Sequence, residues 1–539
     1  MPQFNNYLMF RKIKSKIFFE PSQFYIFGPI LLQQHQNIIG FLCQKSDWRR
    51  WSIEKNFCKL NFFPLYLQSP LKKWREHTES PLKKWRDRGK SRLKKWNDML
   101  KRKVIQQLIE WKETLGKKPL VIKGCRQCGK TFAVRTFAKD NYKNVVYLNF
   151  IENTDLSVAF EGQMNVDEII LNISSIVKDV VFEPHKTCII FDEIQDCPRA
   201  RTSLKFFHID GRFDVIATGS LLGVKGYGDK NGQKASVPVG YETIINMFPL
   251  DFEEFLWANG ISDAIISKIR KCLETVTPVP EAIHQQMKKL LLQYVITGGM
   301  PDAVNALVNT HDLNQVLSIQ RAIINEYEDD MIKYADDGIK PRIRECFESI
   351  PQQLSKENKK FQYSLIRKNA KASHYEGSLQ WIEDAGIICR CRNLQITELP
   401  LDGNADNDVF KIYMSDTGLF VSMLEKGTQA DILQGNLLAY KGAVFENLIA
   451  DIFCKMERKL YYFRKDSGLE VDFVMRYKGE CTLVEVKAAN GNAKSTKTIL
   501  SHYDKYHVKS AIKLGDYNVG YKDNLLTLPH YMAFLLREY

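Results

Sequence analysis

What the sequence lacks narrows it first. In its 539 residues no apolar run reaches the roughly 18 needed to cross a bilayer as a helix. The nearest stretch, Phe24 to Leu32, is interrupted by Gly28 and Pro29. The N-terminus has scattered Lys and Arg but no apolar block followed by a cleavage site, so no secretory signal is expected. Twelve cysteines are scattered along the chain. Only Cys125 and Cys128 form a C-x-x-C pair, which disfavours a zinc site and fits a reducing, cytoplasmic setting with no membrane partner.

A basic surplus is also missing from most of the chain. The net charge is +14, but residues 1–98 hold 20 Lys/Arg against 7 Asp/Glu. Taken from totals of 77 and 63, this leaves 57 basic and 56 acidic residues in the remainder. A near-neutral body argues against a large non-specific phosphate footprint. The extension carries three short units spaced by 11 residues: Ser69 to Arg75, Ser80 to Arg86 and Ser91 to Trp96. Each sets a Leu and a Trp three apart among basic residues. One reading is a basic amphipathic arm for nucleic acid or a membrane surface. The other, which we adopt as the expectation, is a disordered or translated upstream segment that is not part of the native protein, since Met99 precedes the first coherent amphipathic helix.

What is present centres on Gly124-Cys125-Arg126-Gln127-Cys128-Gly129-Lys130-Thr131, a full match to G-x-x-x-x-G-K-[ST]. The apolar run Leu120–Ile122 precedes it as a buried strand, and a helix-compatible stretch follows. Such a turn wraps backbone N–H groups round a phosphate at a helix N-terminus. Lys130 is expected to reach the β- and γ-phosphates and Thr131 to give its hydroxyl to Mg²⁺. Thr187–Phe191 is an apolar strand ending in Asp192 and Glu193, 62 residues after Lys130. Asp192 is expected on the metal and Glu193 as general base. The short strand Asp214–Ser220 ends in hydroxyls. Thr218 or Ser220 is expected at the γ-phosphate or the water, with Ser220 slightly preferred and a plain turn as the alternative.

These motifs occur in order with Pro238-Val239-Gly240 and Pro249-Leu250-Asp251-Phe252-Glu253-Glu254-Phe255. Together they resemble the prokaryotic AAA-type ATPases that carry a C-terminal domain of uncharacterised function. The resemblance covers about 99–539. It implies an α/β fold: a P-loop parallel-sheet core (99–250), a helical lid (251–345), a winged-helix-like module (346–430) and a C-terminal α/β domain (431–539) related to restriction-endonuclease-like nucleases. It also implies ATP and Mg²⁺ as ligands and a homo-oligomer as one possible state. Arg199, Arg201 and Arg212 are arginine-finger candidates by position only. Tyr327–Tyr334 reads as a solvated acidic face. In the winged-helix-like stretch, Arg367, Lys368 and Lys371 suit DNA, with protein packing an equal alternative.

A second constellation lies near the C-terminus. Leu469–Val474 and Thr482–Lys487 alternate like half-buried strands about a Lys478-Gly479 turn. That turn pairs residues whose numbers sum to 957, so Asp472 is expected opposite Glu485, with Lys487 on the same face. Glu446 stands on the preceding amphipathic helix. The spacing resembles the PD-(D/E)xK nuclease pattern, with Glu446, Asp472 and Glu485 on Mg²⁺ and Lys487 assisting. A surface salt bridge or a fold without cleavage are the alternatives. The expectation is therefore an ATP-hydrolysing machine (ATP and water to ADP and phosphate) whose C-terminal domain binds, and on one reading cuts, DNA. A nucleotide-dependent switch with a merely partner-binding C-terminal domain competes with it, as does a P-loop protein that binds without turnover.

Overall fold

The computed structural model describes residues 100–220, 240–335, 338–356, 360–436, 440–488 and 491–537. The repeat-bearing extension falls outside them. Strands β1 (Leu120–Lys123), β2 (Asn144–Asn149), β3 (Thr187–Asp192), β4 (Asp214–Gly219) and β5 (Thr243–Asn246) form a sheet in the order β2-β3-β4-β1-β5. Every pair is parallel. A parallel sheet is buried on both faces, hence the near-continuous apolar runs of β1 and β3. Alternate residues feed two cores. Leu120, Ile122, Cys188 and Ile190 pack with Leu108 of α1 (Val104–Glu113) and Phe137 of α2 (Lys130–Asn141). Val121, Ile189 and Phe191 pack with Ile173 of α3 (Val166–Ile176) and Phe207 of α4 (Pro198–Asp210). β4 lies between β1, which leads into the Gly124–Thr131 turn, and β3, which ends at Asp192.

A helical region follows: α5 (Phe252–Ala258), α6 (Asp263–Glu274), α7 (Glu281–Thr297), α8 (Pro301–Thr310) and α9 (Leu313–Tyr334). Asp251 and Glu254 close a capping box at the start of α5, which fixes where the chain leaves the core. The break after α7 at Gly298-Gly299 has a steric cause. A Cβ on Gly299 would lie 2.0 Å from the Leu250 carbonyl oxygen, so only glycine lets the two backbones meet.

The chain continues through α10 (Lys340–Ser355), α11 (Tyr363–Ile366) and α12 (Ala372–Asp384) into the antiparallel pair β6 (Ile388–Leu394) and β7 (Ala405–Met414). Helices followed by a hairpin are what the winged-helix expectation required. The hairpin is not part of a separate module, however. β6 pairs in parallel with β8 (Leu460–Arg464), from Cys391↔Leu460 to Leu394↔Phe463. It thereby joins an eight-stranded mixed sheet with β9 (Glu470–Tyr477), β10 (Glu480–Val486), β11 (Ser510–Gly515), β12 (Gly520–Lys522) and β13 (Leu525–Pro529), in the order β12-β13-β11-β10-β9-β8-β6-β7. The expected division at 430/431 cuts across this one sheet. Helices α13 (Thr417–Ser422), α14 (Thr428–Gln434), α15 (Lys441–Cys454) and α16 (Lys494–Ser501) accompany it.

Candidate functional site

The turn after β1 is shaped by backbone that only certain residues accept. Gln127 and Gly129 take φ of 61° and 94°, in the left-handed region. A Cβ on Gly124 would stand 2.1 Å from the Met247 carbonyl oxygen. The turn is clamped from outside: Arg102 donates to the Cys128 carbonyl at 3.0 Å and to that of Phe248 at 2.6 Å. Cys125 and Cys128 are both buried in it. A hydrogen bond from Cys125 pulls the Cys128 thiol down to about 6, against its burial and with help from Lys130 and Arg102.

Lys130 starts α2 and is itself buried. Its Nζ donates to the carbonyls of Gly124 (2.9 Å) and Cys125 (2.8 Å) and to Ser220 Oγ (3.0 Å). Thr131 Oγ1 donates to both oxygens of Asp192, at 3.0 and 2.9 Å. Asp192 is 2% exposed and accepts from two more hydroxyls, Tyr147 at 2.6 Å and Thr218. Glu193 follows with φ of 53°, a sparsely populated backbone for a non-glycine residue, and its carboxylate accepts from Gln195. Arg126, Gln127, Gly129, Lys130, Thr131, Glu193 and Ser220 all line one cavity of about 530 Å³. Thr218 does not; it is fully buried beneath, against Asp192.

Several residues of this cavity escaped sequence reasoning. Glu326 of α9 lines it. It pairs with Arg126 Nε at 3.2 Å and accepts from Gln127, while Asp330 takes Arg126 Nη1 at 2.7 Å. Tyr327 donates to the Arg126 carbonyl at 3.3 Å. The stretch expected to be a solvated face is thus half docked on the glycine-containing turn after β1, with Tyr327 and Asp330 buried. The available signal was spacing: Ile323, Tyr327 and Met331 repeat every four residues, so one stripe of α9 was apolar. The arginine-finger candidates are engaged elsewhere. Arg199 binds the Phe160 and Gly162 carbonyls, Arg201 pairs with Glu242, and Arg212 with Asp167 and Asp210.

The C-terminal constellation is placed differently from the expectation. Register is as the Lys478-Gly479 turn requires, from Glu480↔Tyr477 to Val484↔Phe473. Asp472, next in line, accepts the Val486 N–H at 2.8 Å. Glu485 is held by Lys487 and by Thr496 Oγ1 of α16 at 2.9 Å. Glu446 faces another cation. Lys411 of β7, 1% exposed, sets its Nζ 3.2 Å from Glu446 and 2.8 Å from Glu470. Tyr413 also donates to Glu446. Among the described residues no three His, Cys, Asp or Glu side chains group as a metal site. The three acids expected to share a metal are thus engaged by different groups: Glu446 by the buried Lys411 ammonium, Asp472 by the Val486 N–H, and Glu485 by Lys487 and Thr496. Although burial works against its charge, Glu446, Glu470 and Asp472 hold Lys411 above its usual range.

Comparison with known proteins bears on the first cavity. The family described as "AAA domain" matches residues 116–256. Over those residues the core is similar to AAA-type ATPase domains. Two further families match 288–430, "Domain of unknown function (DUF8612)", and 441–531, "Domain of unknown function (DUF4143)". No curated protein matches the chain. Solved structures similar to it include the Walker-type ATPase PABY2304 of Pyrococcus abyssi, at 14% identity over 60% of this chain and 96% of that one, TM-score 0.37. The Aeropyrum pernix ORC1 protein in complex with DNA is 11% identical over 62% and 91%, TM-score 0.25. PCH-2 of C. elegans is 13% identical over 43% and 70%, TM-score 0.26. Among the described residues no helix is long and apolar enough to cross a membrane.

Proposed function

We propose that the chain binds ATP with Mg²⁺ in the 530 Å³ cavity, hydrolyses it to ADP and phosphate, and uses the cycle as a conformational switch. The observation that carries this reading is the convergence of Lys130, the Thr131–Asp192 pair, Glu193 and Ser220 on one site. The Lys130 ammonium exchanges carbonyl and hydroxyl partners for the β- and γ-phosphates. Asp192 is a buried carboxylate satisfied by three hydroxyls, Thr131, Tyr147 and Thr218, a donor set that fits a hard, oxygen-loving cation. Mg²⁺ held by Thr131 and Asp192 would offset phosphate charge. Glu193 takes the proton of the attacking water, and Gln195 fixes its carboxylate. Ser220, on the cavity wall beside Lys130, suits the γ-phosphate better than the sunken Thr218.

The C-terminal domain then binds a partner rather than cutting DNA. Glu446 is engaged by the Lys411 ammonium and Glu485 by Lys487 and Thr496, and this supports the switch over the cleaving reading. A buried network offers the switch a route. Lys455, just past the end of α15, pairs with Asp451 at 2.8 Å and Asp416 at 3.5 Å, and donates to Tyr294 of α7 (2.9 Å) and to the Leu250 carbonyl (3.2 Å) next to the core. The test is ATP turnover by the full chain beside incubation with single- and double-stranded DNA in Mn²⁺. Turnover without cleavage supports the switch. Cleavage lost in Asp472→Ala would restore the nuclease reading.

A further inference from the structure

Three strands of the C-terminal sheet run parallel and stop together. β10 ends at Val486, β11 at Gly515 and β13 at Pro529. The residues just beyond them, Ala488, Asp516 and His530, line a cavity of about 220 Å³. Leu291 of α7, Ile432 of α14 and Phe445 of α15 close it with apolar surface. The crevice beyond the carboxyl ends of parallel strands is where open α/β sheets take ligands.

Two independent features give this cavity a chemical character. The first is His530. It is 5% exposed, its ring lies 4.4 Å from that of Phe445, and its Nε2 has no hydrogen-bond partner. Buried polar atoms are rarely left so. The ring bonds the Lys487 backbone, and burial followed by Lys441 and Lys288 keeps it neutral, down to about 4. Its Nδ1–H therefore serves the backbone, and Nε2 presents a lone pair that asks for a donor. The second feature is the start of α15. This 14-residue helix has no side-chain cap and no acid in its first turn, and it begins with Lys441. A cation there opposes the helix dipole, whereas free N–H groups and an ammonium together suit an anion. The other cavity lysine, Lys288, is already paired with Asp516. Two ammoniums and one carboxylate leave a single positive charge unmatched.

We propose that this cavity binds a small monocarboxylate with an apolar body and a hydrogen-bond donor: the carboxylate at Lys441 and the first turn of α15, the donor on His530 Nε2, the body against Phe445 and Ile432. A dry cavity of about 150 Å³ accepts a benzene ring, so one ring with two small substituents matches the size. Such a ligand would bridge α7, α14 and α15, and the site is independent of the ATP cavity.

The probe is 3-hydroxybenzoate, titrated calorimetrically into the full chain. Benzoate, which lacks the donor, and 3-hydroxybenzyl alcohol, which lacks the charge, serve as controls. 3-Hydroxybenzoate should bind tightest. Lys441→Gln, at a half-exposed helix start, should weaken it roughly tenfold or more, the loss expected for a charged hydrogen bond. His530→Phe should abolish its advantage over benzoate while benzoate binding persists. No binding of any probe at millimolar concentration would overturn the proposal. So would equal affinities for the three probes, or an affinity unchanged in Lys441→Gln.

Discussion

Replacing Lys411 with methionine tests how the C-terminal acids are held. The ammonium is 1% exposed and lies 3.2 Å from Glu446 and 2.8 Å from Glu470. Methionine keeps the length of the side chain and removes its charge. Glu446, 4% exposed, then keeps the Tyr413 hydroxyl but loses the ammonium that balances its charge. Breaking a buried pair from one side costs about 3–5 kcal/mol, because the surviving charge stays desolvated. The double variant Lys411→Met/Glu446→Gln should recover most of that loss, since contacting residues do not add independently. The single variant should also regain stability as pH falls, when the Glu446 carboxylate, no longer balanced by the ammonium, takes up a proton. Hydrogen exchange of the β7 and β9 amides reads the local opening free energy directly. A Lys411→Met protein whose amides exchange within about 0.5 kcal/mol of wild type, the range of an ordinary surface change, would refute this account. Restoration of the variant by Mn²⁺ would show instead that the acids form a latent metal site.

Two further outcomes follow from other parts of the molecule. Glu326 puts a negative charge on the wall of a cavity that takes a polyphosphate. One unit charge at roughly 8 Å is worth about 2 kcal/mol at an effective dielectric near 20; after screening, Glu326→Gln should tighten ATP binding several-fold, and weaker binding by fluorescence titration would contradict this. His530 is neutral in the fold, held down to about 4 by burial first and by Lys441 and Lys288, with Asp516 opposing. An unfolded histidine titrates near 6.5. The unfolded chain therefore binds more protons between these values, and stability is lost as pH falls through that window, by about 2 kcal/mol between pH 6.5 and 5 at 1.36 kcal/mol per unit. His530→Gln should flatten that part of the denaturation-against-pH curve, and an unchanged slope would rule the histidine out.

The parts legible in the sequence are those in which neighbouring residues share one task. The phosphate-binding turn, the acid pair after β3 and the strand between them could be read because each motif is short and flanked by its own strand. The β9–β10 register could be read as well, because Lys478 and Gly479 both take positive φ, 51° and 80°, and so fix a two-residue turn. Non-local pairing was hidden. Nothing near β6 says that it will bond in parallel to β8, some 70 residues later, so the hairpin looked like a wing. Lys411 was the missed clue to the acid cluster: a lysine inside Phe410-Lys411-Ile412-Tyr413-Met414, all buried, must have partners. α9 deceived for the opposite reason. Its acids mask the stripe that carries Tyr327 and Asp330 onto the turn.

The most direct test of the ATPase reading separates binding from chemistry in the full chain. Wild type, Lys130→Ala and Glu193→Gln are compared for ATP binding and for phosphate release with Mg²⁺. Lys130→Ala should lose both. Glu193→Gln should keep ATP bound while release falls by at least the roughly 10²-fold typical of a lost general base. Phosphate release at the wild-type rate in both variants would contradict the account, because turnover would then arise outside this cavity.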